Sequence, residues 1–251
     1  MIAQTLSQLR QLKLTGMASA LQTQQEQPGA YEGLSFAERL QLLVDQETQE
    51  RQQRKQERLI RTAQFKLKAH AQGIDYQHPR GLQPSQMAAL LQCDWIRKAQ
   101  NLLLTGPCGS GKTYLACALG HQACLKEYSV RYVRLSRLIL ALTQAKADGS
   151  YGKLLKNLAS FDLLIIDDWG LEPLKAATRN DLMEIMDDRH DRSATVILSQ
   201  LPTDQWYQSI GDNTLADAIL DRLMHNAHRI NLKGESMRKK LNSLTQVEHL
   251  G

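Results

Sequence analysis

Eight consecutive residues, Gly106-Pro107-Cys108-Gly109-Ser110-Gly111-Lys112-Thr113, follow the spacing G-x-x-x-x-G-K-[ST]. Glycine at the turning positions lets backbone N–H groups wrap a phosphate, and a helix beginning at the end of the run adds a partial positive charge. In that arrangement Lys112 reaches the β- and γ-phosphates of a nucleotide, Thr113 offers its hydroxyl to Mg2+, and Tyr114 closes the binding segment. The surroundings agree, because an apolar strand, Leu102–Leu104, precedes the run and a helical pattern from Thr113 to Leu125 follows it. Cys108 fills one of the variable positions, although a thiol at a helix N-terminus can also be reactive.

A second constellation is Phe161-Asp162-Leu163-Leu164-Ile165-Ile166-Asp167-Asp168, which reads as a hydrophobic strand ending in two acids. A metal at the phosphates needs an acidic partner from a neighbouring strand, and Asp167 suits that place. Asp168 is then positioned to polarise an attacking water. Two acids favour hydrolysis over phosphoryl transfer to a small acceptor. ATP and Mg2+ are the expected cofactors, with Thr113 and Asp167 on the metal.

Residues of this kind need a scaffold of strands alternating with helices. Apolar runs at Asn101–Thr105, Val130–Arg134, Phe161–Asp167, Ala194–Ser199 and, more weakly, Arg229–Leu232 alternate with helical stretches. That order predicts an α/β fold with a parallel five-stranded sheet flanked by helices. Ahead of the loop His78-Pro79-Arg80-Gly81-Leu82-Gln83-Pro84 the pattern is helical only. Ile2, Leu6, Leu9, Met17 and Leu21 predict one amphipathic helix from Ile2 to Gln25, ended by Pro28-Gly29. Ser35 followed by Glu38 is a capping box, and the stripe Phe36, Leu40, Leu43 and Val44 predicts a helix running into the sixties. The expected organisation is a small all-α domain over 1–70 and a nucleotide-binding domain over 71–251.

Between Arg51 and Lys68, seven basic residues (Arg51, Arg54, Lys55, Arg58, Arg61, Lys66 and Lys68) face one acid, Glu57. Most of the net charge of +5 is therefore local. On a helix Arg51, Arg54, Lys55, Arg58 and Arg61 fall along one ridge, which the phosphates of duplex DNA or RNA can follow. A solvated outer face is the alternative, weakened by the repulsion among like charges. Composition narrows the class further: 42% hydrophobic and 23% charged residues exclude a wholly disordered chain and a small disulfide scaffold. Four cysteines without a CxxC pair, and no secretory leader, predict a reduced, cytoplasmic chain. The apolar runs, Leu163–Ile166 among them, are far short of the roughly 20 residues that span a bilayer, so no membrane is expected.

With these motifs the chain resembles the AAA+ ATPases, and within them the IstB-like transposition helper proteins and the related DnaC-like helicase loaders. Beyond the two nucleotide motifs the resemblance is carried by Leu34–Leu40, Pro79-Arg80-Gly81-Leu82, Leu215–Leu223 and Lys233–Lys240, and it covers the whole chain. It implies that Ser199 and Gln200 form a polar sensor near the γ-phosphate, with Gln200 orienting water. It implies also that Arg222 is the arginine finger serving a neighbouring subunit's nucleotide and that Arg238 is a second sensor. The plainer alternatives are a turn or cap role for Ser199, an exposed helix arginine and a basic tail. Asp168 stands where many AAA+ proteins have Glu, which implies slow turnover. The short stretch after Gln200 leaves no full C-terminal lid, so the subunit interface would have to close the site. The implied function is that of a homo-oligomer controlled by ATP that assembles on duplex DNA and helps the transposase of the same insertion sequence engage its target. A DnaC-like helicase loader is the nearest alternative. A metabolic kinase is more distant, for want of an acceptor pocket and an arginine-bearing lid, and a DNA-coating protein with a vestigial ATP site conflicts with the intact Lys112, Thr113 and Asp167.

Overall fold

A computed structural model describes residues 2–234 together with Ser236 and Met237. Its N-terminal helices are α1 (Ile2–Gln11), α2 (Thr15–Glu26), α3 (Pro28–Tyr31) and α4 (Phe36–Ala63). Where periodicity predicts one helix over Ile2–Gln25, the chain breaks after Gln11. Lys13 takes a left-handed φ of 60°, its N–H donates to Arg10 O (3.0 Å), and the Leu14 N–H donates to Leu9 O (2.8 Å). This is a Schellman-type ending made without glycine. The reason is tertiary: Glu47 of α4 accepts the N–H groups of Gly16 (2.8 Å) and Met17 (3.2 Å). Its carboxylate caps the first turn of α2, which no side chain at its own N-cap does. Gly16 approaches so closely that a Cβ there would stand 2.6 Å from Glu47 Cα.

The start of α4 follows the expected capping box. Ser35 N–H donates to Glu38 Oε2 (2.8 Å), while Glu38 N–H donates to Ser35 Oγ (3.3 Å). From there α4 runs 28 residues without a break. The chain forms two compact units, Met1–Arg58 and Leu59–Gly251. This division falls inside α4, ahead of the change in composition near residue 70, because Leu59, Ile60 and Ala63 pack into the core of the second unit.

That unit continues with α5 (Pro84–Leu91), α6 (Asp94–Arg97), β1 (Asn101–Thr105), α7 (Lys112–Leu125), β2 (Val130–Arg134), α8 (Leu135–Asp148), α9 (Tyr151–Ala159), β3 (Leu163–Trp169), α10 (Ala176–Arg189), β4 (Ala194–Ser199), α11 (Trp206–Ile210), α12 (Asn213–Met224) and β5 (Ala227–Asn231). The five strands are all parallel in the order β2-β3-β4-β1-β5. Alternation along the strands divides the core. Leu102, Leu104, Leu163, Ile165, Val196 and Leu198 pack on one side with α7, and Leu103, Leu164, Ile166 and Ile197 pack on the other with helices of α8–α12. Both faces are covered, so the strands read as continuous apolar runs. Among the described residues no helix is long and apolar enough to cross a membrane.

Register brings the C-terminal ends of three strands level. Thr105 of β1 and Trp169 of β3 both pair with Ser199 of β4. Strand β3 extends beyond the expected end at Asp167, so both acids lie within it. Two residues of β3, Asp167 and Asp168, stand opposite Leu198 alone, a β-bulge.

Burial would raise the Glu47 carboxyl, but hydrogen bonds from Arg51 and from the Met17 and Gly16 N–H groups, with the charge of Arg51, outweigh it and hold the group below its ordinary range. A carboxyl depressed on folding stabilises above its unfolded pKa, about 4.3, and that contribution disappears as pH falls through the lower folded value. Glu47→Ala is therefore expected to destabilise the N-terminal unit by about 1–2 kcal/mol at neutral pH. The gap from wild type should narrow below about pH 4. Urea denaturation followed by circular dichroism at neutral and acid pH measures both.

Candidate nucleotide-binding site

Strand β1 ends at Thr105 and α7 begins at Lys112, and the residues between them turn at the C-terminal edge of the sheet. Gly106, Gly109 and Gly111 have φ values of 143°, 80° and 91°, which side-chain-bearing residues rarely adopt. A Cβ would also collide with Leu232 O at the first, Ser236 Oγ at the second and the Arg80 guanidinium at the third. Backbone conformation and close neighbours thus both require glycine. Lys112 is 8% exposed and donates to Gly106 O (2.6 Å) and Pro107 O (2.8 Å). Burial pushes its pKa down, opposed by the charges of Cys108, Asp167 and Asp168.

Asp167 is the centre of the polar arrangement. Its Oδ2 accepts from Thr113 Oγ1 (3.0 Å) and from the Tyr132 hydroxyl (2.5 Å), and its Oδ1 accepts the Asp168 N–H (2.8 Å). Burial, and then the bond to Asp167, push the Tyr132 phenol up, so it remains a donor. Lys66 Nζ lies 3.9 Å from Asp167 Oδ2. Asp168 has a positive φ of 63° at the bulge, a conformation that costs energy outside glycine and gathers at functional sites.

These groups border a cavity of about 490 Å³, whose wall includes Cys108, Lys112, Thr113, Tyr114, Asp167, Asp168, Ser199 and Gln200. The volume suits a nucleotide-sized ligand. The donor set suits a polyphosphate with a hard cation: a glycine cradle with no room for side chains, a lysine at its end, and a hydroxyl beside a carboxylate. Two buried polar atoms at the same loop, Ser110 Oγ and Arg80 Nε, have no hydrogen-bond partner among the described residues.

Ser199 and Gln200, assigned by resemblance, stand at the cavity wall. Ser199 Oγ donates to Trp169 O (2.8 Å) and accepts the Leu201 N–H (3.0 Å), so its hydroxyl closes the turn after β4 while Gln200 stands exposed at the cavity wall. Arg222 of α12 lies outside this cavity. Its Nη2 stands 2.7 Å from Asp187 Oδ1, and Nη1 donates to Ala218 O (3.0 Å). Arg238, and the residues on which the absence of a lid would be judged, lie outside the described residues.

The five ridge residues Arg51, Arg54, Lys55, Arg58 and Arg61 are all exposed on α4. Two are already engaged by acids one turn upstream: Arg51 Nε lies 2.6 Å from Glu47 Oε1, and Arg54 Nη2 lies 3.7 Å from Glu50 Oε2. Counting charge only from Arg51 onward omits these partners. Lys66 belongs to the same basic run in sequence but lines the nucleotide cavity.

Sequence reasoning missed three residues here. Arg80, 1% exposed, donates to Ser110 O (3.0 Å) and Asp75 O (2.9 Å), bracing the loop from behind. Tyr132 lies within the apolar run Val130–Arg134, and Lys66 within the basic run that ends at Lys68. No periodicity marks them; Pro79-Arg80-Gly81-Leu82 as a family-like stretch was the one signal. The segment after β5 also reaches the loop, where the Met237 N–H donates to Gly109 O (3.0 Å).

Comparison with known proteins agrees with this geometry. Residues 7–245 match the family model described as IstB-like ATP binding protein. A protein of Sinorhizobium fredii, y4pL, named for an insertion sequence and for ATP binding, is 47% identical over 235 residues, covering 94% of this chain and 96% of its own. Among solved structures, AMPPCP-bound DnaA from Aquifex aeolicus aligns with a TM-score of 0.58 at 19% identity, over 74% of this chain and 56% of its own. The DnaC helicase loader aligns with a TM-score of 0.50 at 22% identity, over 63% and 95%. The fold is of the AAA+ type.

Lys112→Ala removes the ammonium at the end of the cradle. Hydrogen bonds to charged groups contribute about 1.5–3 kcal/mol each, so the affinity for a fluorescent ATP analogue is expected to fall about 100-fold. Fluorescence titration measures it, and an unchanged affinity would refute the assignment.

Proposed function

The chain belongs to the IstB-like ATP-binding proteins, and from that premise we propose that it is a homo-oligomeric, Mg2+-dependent ATPase that assembles on duplex DNA and assists the transposase of an insertion sequence in engaging its target. The observation that carries the reading is the bond from Thr113 Oγ1 to Asp167 Oδ2. It joins the helix terminus suited to phosphates to the strand bearing both acids. In this reading Lys112 and the amides from Gly106 to Gly111 hold the phosphates, with Pro107, Cys108, Ser110 and Tyr114 completing the segment. Thr113 and Asp167 hold Mg2+, which neutralises charge between the phosphates when bound. Asp168, re-aimed by the bulge, polarises water, and Gln200 helps to orient it. Arg222 serves the neighbouring subunit's nucleotide, exchanging its pairing with the exposed Asp187 on assembly. Residues 1–70 act as the DNA- and partner-facing domain, with α4 following the duplex, and the protein works in the cytoplasm on DNA recombination.

A helicase-loader function has less support: the likeness to DnaC concerns the fold alone, whereas the Sinorhizobium relative, named for an insertion sequence, matches across the chain.

ATP turnover and particle size, measured with and without ATP and duplex DNA, test the proposal. Both should respond to DNA. Asp168→Asn keeps the shape and loses the charge, so it should retain ATP-dependent assembly while turnover falls about 100-fold or more. Turnover at the wild-type rate would remove Asp168 from the chemistry.

DNA contact is tested separately. Arg58 and Arg61 are the exposed ridge arginines not engaged by Glu47 or Glu50, so the Arg58/Arg61→Ala variant should weaken binding to all duplex sequences alike. It should also reduce the slope of log K against log [salt] by about 1.8, roughly 0.9 for each phosphate contact. ATP affinity should stay the same. An unchanged salt slope would make the ridge a solvated face.

A further inference from the structure

The chain leaves α4 at Ala63 and crosses the face of α7 before reaching the loop at Arg80. Several contacts fix that crossing. Gln64 turns with φ 55°, and Phe65 packs against Gly120, where a Cβ would stand 2.6 Å from its ring. Arg131 Nη1 donates to Thr62 O (3.3 Å), and Ala69 is buried. Further on, the Tyr114 hydroxyl donates to His70 O (3.3 Å). Between these anchors the Lys66 side chain, 40% exposed, comes within 3.9 Å of Asp167 Oδ2, whose own side chain is 4% exposed. Among the described residues Lys66 is the one cation at ion-pair distance from this carboxylate.

A carboxylate so far removed from water needs a countercharge. Lys66 supplies it at Oδ2, the same oxygen that Thr113, the other residue assigned to the metal, contacts. The two functions of an ammonium at that point have opposite signs. Facing the cavity, it attracts a polyphosphate; beside Asp167, it repels a divalent cation and competes for Oδ2. We propose that Lys66 is a positioning residue of the nucleotide site that stands in for the metal at Asp167, raising affinity for metal-free nucleotide while opposing entry of the divalent ion. The proposal rests on the reading of Asp167 as a metal ligand.

Lys66→Gln separates the two effects. The dissociation constant of a fluorescent ATP analogue in EDTA is expected to rise about threefold to fivefold, the size of one partly solvated charge interaction. The dissociation constant of Mn2+ for the protein loaded with a non-hydrolysable ATP analogue, read by electron paramagnetic resonance, should fall by a similar factor. Lys66→Arg should keep both constants near wild type. Lys68→Gln, an equal change of net charge at a neighbouring exposed position, should leave both unchanged. A structural role would raise both constants together, and that result, or no movement in either, overturns the proposal. Asp167→Asn distinguishes the underlying reading: if it weakens Mn2+ binding while Lys66→Gln changes nothing, only the role of Lys66 fails. Undiminished Mn2+ binding in Asp167→Asn would overturn both.

Discussion

An anion held almost wholly out of water at the C-terminal edge of the sheet sets the terms for the nucleotide site. Asp167, 3% exposed, needs donors because a buried charge is tolerated only when paired and hydrogen-bonded. They come from four places: the first turn of α7 through Thr113, β2 through Tyr132, the bulged backbone through the Asp168 N–H, and the segment after α4 through Lys66. Each ties a separate element to one group, so the helix that follows the glycine-rich loop, the pairing of β2 with β3 and the crossing over α7 are positioned relative to the same carboxylate.

The bulge at Asp168 belongs to this arrangement. A non-glycine residue at φ 63° is unfavourable in isolation. Here the strained residue gives its N–H to Asp167 and presents its own carboxyl to the cavity, while Trp169 regains register with Ser199 beyond it. Behind the phosphate loop the buried Arg80 does comparable work. A guanidinium donates to carbonyls of the loop and of the chain leading to it, at Ser110 and Asp75, and a Cβ on Gly111 would leave it no space.

In the N-terminal unit one acid again organises the helices around it. Glu47 caps α2, receives Arg51 and draws Gly16 into backbone contact. The same carboxylate thus breaks the first predicted helix and neutralises part of the basic ridge. The free positive charge of α4 shifts toward Arg58 and Arg61, farther along the helix than a count of basic residues suggests.

Local order was legible in the sequence because local chemistry determines it. The glycine spacing of the phosphate loop follows from backbone freedom and the Ser35–Glu38 box from hydrogen-bonding reach across one turn. The strands at 101–105, 130–134 and 194–199 follow from apolar runs that only a sheet covered on both faces can bury; with the run ending at Asp167 and the weaker one over 229–232, whose observed bounds are shifted, they give the parallel five-stranded sheet. What the tertiary structure alone decided concerns partners distant in the chain. That Lys66 turns to Asp167 and away from the ridge, that Arg222 pairs with Asp187, and that Lys13 ends a helix without glycine all depend on which charged group is brought alongside by packing. Side-chain type and spacing establish what a residue is able to bind; the neighbour supplied by the fold determines what it does bind.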